Sequence, residues 1–137
     1  AVLDKLFPSE VFPSDIRWNW VQTGHPPGLA QGSNEWSPHI RDSIDAVDWI
    51  VQRVVQQGSR FALIGCGGIG MLVALKLKER GVIAIVLGGA IQVLFGIKGR
   101  RWENHSVISK FWNEHWVSPS VCETPSGYSA IEGGCYW

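Results

Sequence analysis

The chain carries no net charge: 12 Lys and Arg residues balance 12 Asp and Glu residues over 137 positions. Without a basic excess, nothing draws it toward nucleic acid or an anionic membrane. Cysteine is scarce. Cys66, Cys122 and Cys135 are an odd count at wide spacing, with no C-x-x-C pair. That argues against a zinc ribbon and against a disulfide framework, and reduced thiols fit a cytoplasmic protein. Long apolar runs are also missing. Val82–Ile97 contains Gln92 and is divided by Gly88-Gly89, and it falls short of the ~20 residues a membrane span needs. Ala1–Ser14, with acids and prolines, does not read as a signal peptide. The sequence shows no internal repeat and no low-complexity tract. One local absence bears directly on function: no Asp or Glu lies between Arg80 and Trp102.

What is present is ordered around glycine. The apolar run Phe61, Ala62, Leu63, Ile64 enters Gly65-Cys66-Gly67-Gly68-Ile69-Gly70. A helical pattern follows from about Met71 to Arg80, Gly81 ends it, and a second apolar run, Val82–Leu87, begins. The order is strand, glycine turn, helix, strand, and Gly65, Gly67 and Gly70 match G-x-G-x-x-G. In such a Rossmann-like unit the first Gly makes the tight turn, the second lets backbone approach a ligand, and the third lets helix and strand pack closely. The helix start offers N–H groups and partial positive charge to an anion. A dinucleotide site also needs an acid at the end of the second strand for the ribose hydroxyls. Here that strand ends Leu87-Gly88-Gly89-Ala90. The phosphate half of the fingerprint is present without the ribose half, which weakens an oxidoreductase reading.

The composition, 45% hydrophobic, is that of a globular chain, and the length predicts one compact domain. Residues 1–42 read as a loop-rich segment holding Pro8, Pro13, Pro26, Pro27 and Pro38. A short strand is expected around Arg17–Val21, and a turn through Thr23–Gly28, where consecutive prolines exclude a helix. The abrupt start suggests the C-terminal part of a longer protein. Residues 43–137 read as the α/β domain. Asp42 or Ser43 caps a helix reaching about Gln57, with Ile44, Val47, Ile50, Val51, Val54 and Val55 at helical spacing and Gly58 as its stop. Ile91–Ile97 forms a further short element. A basic, glycine-rich turn, Lys98–Glu103, comes next, then a short helix over Val107–His115 and an irregular tail from Trp116 to Trp137.

Two blocks carry a resemblance. Gly88-Gly89-Ala90-Ile91-Gln92-Val93-Leu94-Phe95-Gly96-Ile97-Lys98-Gly99-Arg100-Arg101-Trp102 resembles a block, usually "GGA-Q-LFGIKGKRW", of an uncharacterised bacterial and large-virus protein family. The tail Trp116, Pro119, Glu123-Thr124-Pro125 and Glu132-Gly133-Gly134-Cys135-Tyr136-Trp137 is similar to that family's ending. The resemblance covers about Phe61 to Trp137. Family members tend to accompany surface-polysaccharide genes, and their fold resembles the Rossmann-like GT-D class of glycosyltransferases. The resemblance therefore implies a nucleotide-sugar or glycan link. The Asp-x-Glu metal motif of the GT-D class has no match in this chain, and no metal ligand set is expected.

The candidate site follows from these parts. Gly65, Gly67, Gly68 and Gly70 are placed to cradle a phosphate, with a ligand-free tight turn as the plainer alternative. Gly88, Gly89 and Gln92 follow the next strand and are expected at the same edge of a parallel sheet. Lys98, Arg100 and Arg101 suit phosphate or carboxylate recognition, or else form a solvated turn, with the arginines facing water or pairing with Glu123 or Glu132 of the tail as structural salt bridges. Trp102, beside these cations, is a stacking candidate; Trp112 reads as core. Glu103, Glu123 and Glu132 are candidate acid–base carboxylates, with Glu103 and Glu132 as the preferred catalytic pair. Cys135 reads as a buried small hydrophobe. The expected fold is α/β, a small, mostly parallel sheet flanked by helices with an irregular C-terminal tail. The expected ligand is a small nucleotide or glycan, with a nucleotide-sugar as substrate and no other cofactor. The function expected is a transferase domain of polysaccharide biosynthesis. A non-catalytic binding module of a glycan-assembly protein and a nucleotide-cofactor oxidoreductase are the alternatives.

Overall fold

The computed structural model describes residues 3–8, 11–24, 36–125 and 127–137. The architecture is mixed α/β with a two-stranded parallel sheet. The chain divides into two compact units, Asn19–Ile91 and a second made of Ala1–Trp18 with Gln92–Trp137.

The Asn19–Ile91 unit is built from α1 (Ser43–Gln56), β1 (Phe61–Ile64), α2 (Gly70–Glu79) and β2 (Ile83–Val86). Asp42 caps α1: its Oδ1 accepts from the N–H groups of Ile44 at 2.8 Å and Asp45 at 2.9 Å, which satisfies two otherwise unpaired donors of the first turn. Gly58, at φ +67°, takes the left-handed conformation that stops the helix. The buried stripe of α1 is Ala46, Val47, Ile50, Val51 and Val54. Ile44 and Val55, expected in that stripe, are exposed. Ile44 lies in the first turn, before the packed stretch begins, and Val55 lies beside the last buried residue.

The strands pair in register, Phe61 with Ile83 through Ile64 with Val86. Side chains alternate across a strand, and the two faces differ. Ala62, Ile64, Ala84 and Val86 join the core formed with Val47, Ile50, Val54, Ile69, Val73 and Leu77. Phe61, Ile83 and Ile85 point the other way and are exposed. Only one face is covered, because the helices of this unit pack on that face. α2 behaves likewise. Gly70, Val73 and Leu77 are buried, whereas Met71, Leu72 and Leu75 are exposed. Gly81, at φ +78°, ends α2 as its position suggests.

The second unit has little regular structure. α3 (Ala90–Leu94) runs across the division, and α4 (Arg100–Glu103) is a single helical turn where a loop was expected. Gly99 provides the extended backbone that starts α4. An isolated parallel bridge joins Ile97 to Val117. Leu6 and Trp116 are buried, and Trp116 Nε1 donates to the Leu6 carbonyl at 3.0 Å. Phe7 meets Phe111 and Trp116 edge-on, with ring centroids 5.6 and 5.7 Å away. A Cβ on Gly96 would stand 2.4 Å from Leu6 Cδ2, so only glycine fits.

Two expected elements are replaced. Arg17–Val21 forms no strand. The helix expected over Val107–His115 shrinks to a 3-10 turn at Ile108–Phe111. Val107 and Ile108 donate their N–H groups to His105 Nδ1 at 3.3 and 3.2 Å, and Asn113 Oδ1 captures the N–H of His115. The backbone finds side-chain partners instead of a continuous ladder. The turn expected through Thr23–Gly28 lies outside the described residues beyond Gly24.

The packing of α2 gives a direct expectation. Leu77→Ala removes a fully buried side chain and should cost about 2–5 kcal/mol. Leu75→Ala, on the exposed face of the same helix, should change stability by less than ~0.5 kcal/mol. Urea unfolding of the two variants checks the contrast.

Candidate functional site

The glycine turn connects β1 to α2 through a 3-10 turn, Gly67–Ile69. Three of its glycines have packing or backbone reasons. A Cβ on Gly65 would lie 2.6 Å from Ile91 Cγ2 and 3.3 Å from the Gly88 carbonyl oxygen. Gly67 has φ +52°, a region L side chains rarely adopt. A Cβ on Gly70 would sit 3.3 Å from both Ile64 Cγ2 and Val86 Cγ1, so the glycine lets α2 lie close against both strands. Gly68 is different. It is exposed, its φ is ordinary, and a Cβ there would meet nothing within 4 Å. Neither the 3-10 turn nor α2 has a side-chain hydrogen bond capping its start. Gly67 and Gly68, ahead of the helix, are exposed, whereas Gly70 at its first position is buried and donates its N–H to the Gly67 carbonyl.

Gly88 and Gly89 follow β2. Gly88 has φ +55°. Its N–H and that of Leu87 both donate to the Ile64 carbonyl, at 3.2 and 2.9 Å. The Gly88 donor is thus used by the sheet. Cys66, within the turn, is half-buried; burial pushes its thiol up, against lowering hydrogen bonds with Thr23 and Gly65. A thiol so placed stays protonated and is a poor nucleophile at neutral pH.

The other predicted residues belong to the second unit, where Arg101 is the centre of a polar cluster. Its backbone N–H donates to the Cys135 carbonyl at 2.9 Å. Its guanidinium donates to Glu132 Oε2 and lies over the Tyr136 ring, 4.8 Å from the centroid. Tyr136 donates its hydroxyl to Glu132 Oε1 at 2.9 Å. Cys135 Sγ lies 3.9 Å from Glu132 Oε2. Both oxygens of Glu132 are therefore engaged. Glu132 itself has φ +47°, and Gly133 and Gly134 follow at +67° and +73°. Three successive left-handed residues turn the carboxylate toward Arg101.

Charge in the cluster is shifted accordingly. Partial burial works against the Arg101 cation, but Tyr136, Cys135 and Glu132 outweigh it and raise its pKa. Burial, then the bond to Glu132, raises the Tyr136 phenol, while Arg101 pulls the other way.

Gln92 acts as a strut: its Nε2 donates to the Tyr136 carbonyl at 2.9 Å. A Cβ on Gly99 would stand 2.8 Å from Gln92 Oε1 and 3.3 Å from the Cys135 carbonyl oxygen. Gly99 thus lets the tail approach α4. Lys98 Nζ lies over the Trp112 ring at 5.7 Å. Arg100 and Glu103 are exposed on α4. Trp102 is half-buried beside His105, with ring centroids 5.8 Å apart. Gln92 Oε1, Trp102 Nε1 and Trp112 Nε1 are buried polar atoms with no hydrogen-bond partner.

The structure brings Gln92, Arg101 and Glu132 together, and it adds Cys135 and Tyr136, which sequence reasoning did not assign to the site. The i, i+4 spacing of Glu132 and Tyr136 was the available signal. Glu123 has a different task. It forms a capping box with Ser120 at the start of the 3-10 turn Val121–Glu123, accepting the Ser120 N–H at 2.8 Å. An open groove of about 560 Å³ lies between α1 and α2, lined in part by Asp45, Asp48, Trp49 and Lys76. It holds no predicted site residue, and its Asp48 is paired with Lys76 and its Asp45 with Arg41. Among the described residues, no three His, Cys, Asp or Glu side chains gather as metal ligands. No helix among them is long and apolar enough to cross a membrane.

No family model, curated protein or solved structure matches the chain.

The hydrogen bonds from the Ser120 hydroxyl and N–H hold the Glu123 carboxyl below its ordinary pKa. A depressed folded-state pKa contributes stability that is present above the unfolded value and is lost as pH falls through the folded one. Carbon-detected NMR should show Glu123 titrating below the ordinary glutamate value, and Ser120→Ala should return it toward that value.

Proposed function

We propose that this chain is a Rossmann-like nucleotide-sugar or glycan-related transferase domain acting in surface-polysaccharide biosynthesis. The observation that carries the reading is the start of α2. A parallel strand runs through exposed glycines into a helix whose first turn has no side-chain cap. Backbone N–H groups there suit the phosphate of a nucleotide-sugar. Gly68 supports the reading because packing does not require it.

In the second unit, Arg101, with Arg100 and Lys98 nearby in sequence, suits an anionic or polyhydroxyl group, and Trp102 suits a sugar face. Glu103 and Glu132 are the carboxylates proposed to take the acceptor proton. A second reading, a non-catalytic glycan-binding module, is favoured by one feature: both Glu132 oxygens are already occupied, by Arg101 and Tyr136.

A thermal-shift panel of UDP-, GDP- and dTDP-sugars beside NAD and NADP tests the proposal. A true ligand at 100 times its dissociation constant should add about 2.7 kcal/mol of stability. At least one nucleotide-sugar should stabilise the chain. NAD and NADP should not, since Leu87 and Gly88 at the end of β2 offer the ribose no carboxylate. Stabilisation by NAD alone would replace the transferase reading with the oxidoreductase one.

Gly68→Asp gives a sharper check. The side chain enters open space and its charge favours the helix start, so the fold should hold. The same charge should repel a phosphate and weaken nucleotide-sugar binding at least about tenfold, the equivalent of roughly 1.4 kcal/mol. Unchanged affinity, measured by calorimetry, would remove the glycine turn from the site.

A further inference from the structure

Arg101 is predicted to receive an anion, yet in the structure it already holds one. Glu132 Oε2 accepts from its guanidinium, and the Tyr136 ring covers one of its faces at 4.8 Å. Carboxylate and phosphate oxygens compete for the same planar fork of donors. The pair is accessible from solvent: the Arg101 side chain is 35% exposed and that of Glu132 is 57%. Ion pairs this exposed are weak, so a ligand bearing more negative charge than one carboxylate can take Glu132's place.

The backbone around Glu132 is suited to such an exchange. Its φ of +47° is one that residues with a side chain rarely adopt. Gly133 and Gly134, both left-handed, flank it on one side and absorb torsional change at little steric cost. The neighbouring anchors do not depend on the carboxylate. The Cys135 carbonyl is held by the Arg101 N–H and the Tyr136 carbonyl by Gln92. Glu132 and Gly133, both exposed, can therefore swing out while 135 and 136 stay attached.

We propose that the Glu132 turn is an internal latch on Arg101: its carboxylate occupies the position of an incoming phosphate group and must be displaced for that group to bind. This rests on the reading of Arg101 as a ligand contact. A latch that is closed nine times in ten lowers the apparent affinity about tenfold.

The test uses the full chain and inorganic pyrophosphate, titrated by calorimetry at constant ionic strength. Glu132→Gln keeps the shape and the bond to Tyr136 but removes the competing charge. It should bind pyrophosphate roughly five- to tenfold more tightly than the unaltered chain. Arg101→Ala should lose the binding, and the double variant should behave like Arg101→Ala. In the unaltered chain, pyrophosphate should speed hydrogen exchange in 128–134, a readout that needs no variant. Three results overturn the latch. If Glu132→Gln binds no more tightly while Arg101→Ala binds weakly, Arg101 is a contact without a latch. If exchange in 128–134 slows or stays constant on binding, the turn does not open. If Arg101→Ala binds as well as the unaltered chain, the reading of Arg101 fails and the latch fails with it.

Discussion

The Asn19–Ile91 unit depends on how closely α2 approaches the strand pair. Val73 and Leu77 are wholly buried beneath the helix, and Ile64 and Val86 crowd its first residue, where a Cβ would come within 3.3 Å of each. A helix seated that low, leaving directly from the end of β1, has only a few residues in which to turn. Side chains obstruct such a turn. Gly65 avoids Ile91, Gly67 takes a left-handed step, and Gly70 fits beneath the strands. The absence of a side-chain cap at the start of α2 follows from this packing. A glycine fingerprint can thus arise from packing alone, and its functional weight falls on Gly68, the one glycine of the four that packing leaves unexplained.

The second unit solves a different problem. Its elements are too short to satisfy their own backbone, since α4 is one turn and the tail is a series of 3-10 turns. Side chains complete the backbone hydrogen bonds: Asn113 and Trp116 serve the carbonyls of Lys5 and Leu6, and Gln92 serves Tyr136. Buried polar groups need such partners. Polar contacts therefore carry much of the local order, and groups suited to recognition, such as Arg101, are drawn into structural bonds.

Where the local pattern was strong, it was legible. α1, β1, α2 and β2 all lie within a residue or two of their expected bounds, because capping at Asp42, stops at Gly58 and Gly81, and apolar periodicity agree with one another. Burial was less legible than structure. Phe61, Ile83 and Ile85 belong to apolar runs yet are exposed, because whether a strand's second face is covered is decided by distant elements. Arg17–Val21 and Val107–His115 failed for a related reason, since tertiary partners and side-chain capture at His105 and Asn113 override weak local preferences. The Glu123 cap was visible as Ser-x-x-Glu at Ser120, a capping-box pattern. The closure of Glu132 on Arg101 joins residues far apart in sequence, which no periodicity reports.

That closure also sets the terms for any chemistry here. A general base needs a free lone pair within reach of the proton it removes. Glu132 in this conformation is tied at both oxygens, by Arg101 at one and Tyr136 at the other, so the carboxylate is not free to turn toward an acceptor hydroxyl. It cannot be a latch and a base in the same state. Glu103 is free of that constraint but is exposed on a single turn of helix, with little to fix its orientation, and precise placement is much of what makes a carboxylate catalytic. The transferase reading through Glu132 therefore requires the turn at 131–134 to move, releasing the carboxylate in the same step that frees Arg101 for phosphate. The binding-module reading requires only that Arg101 be freed. The difference between an enzyme and a binding protein in this chain reduces to where the Glu132 carboxylate goes after it leaves Arg101.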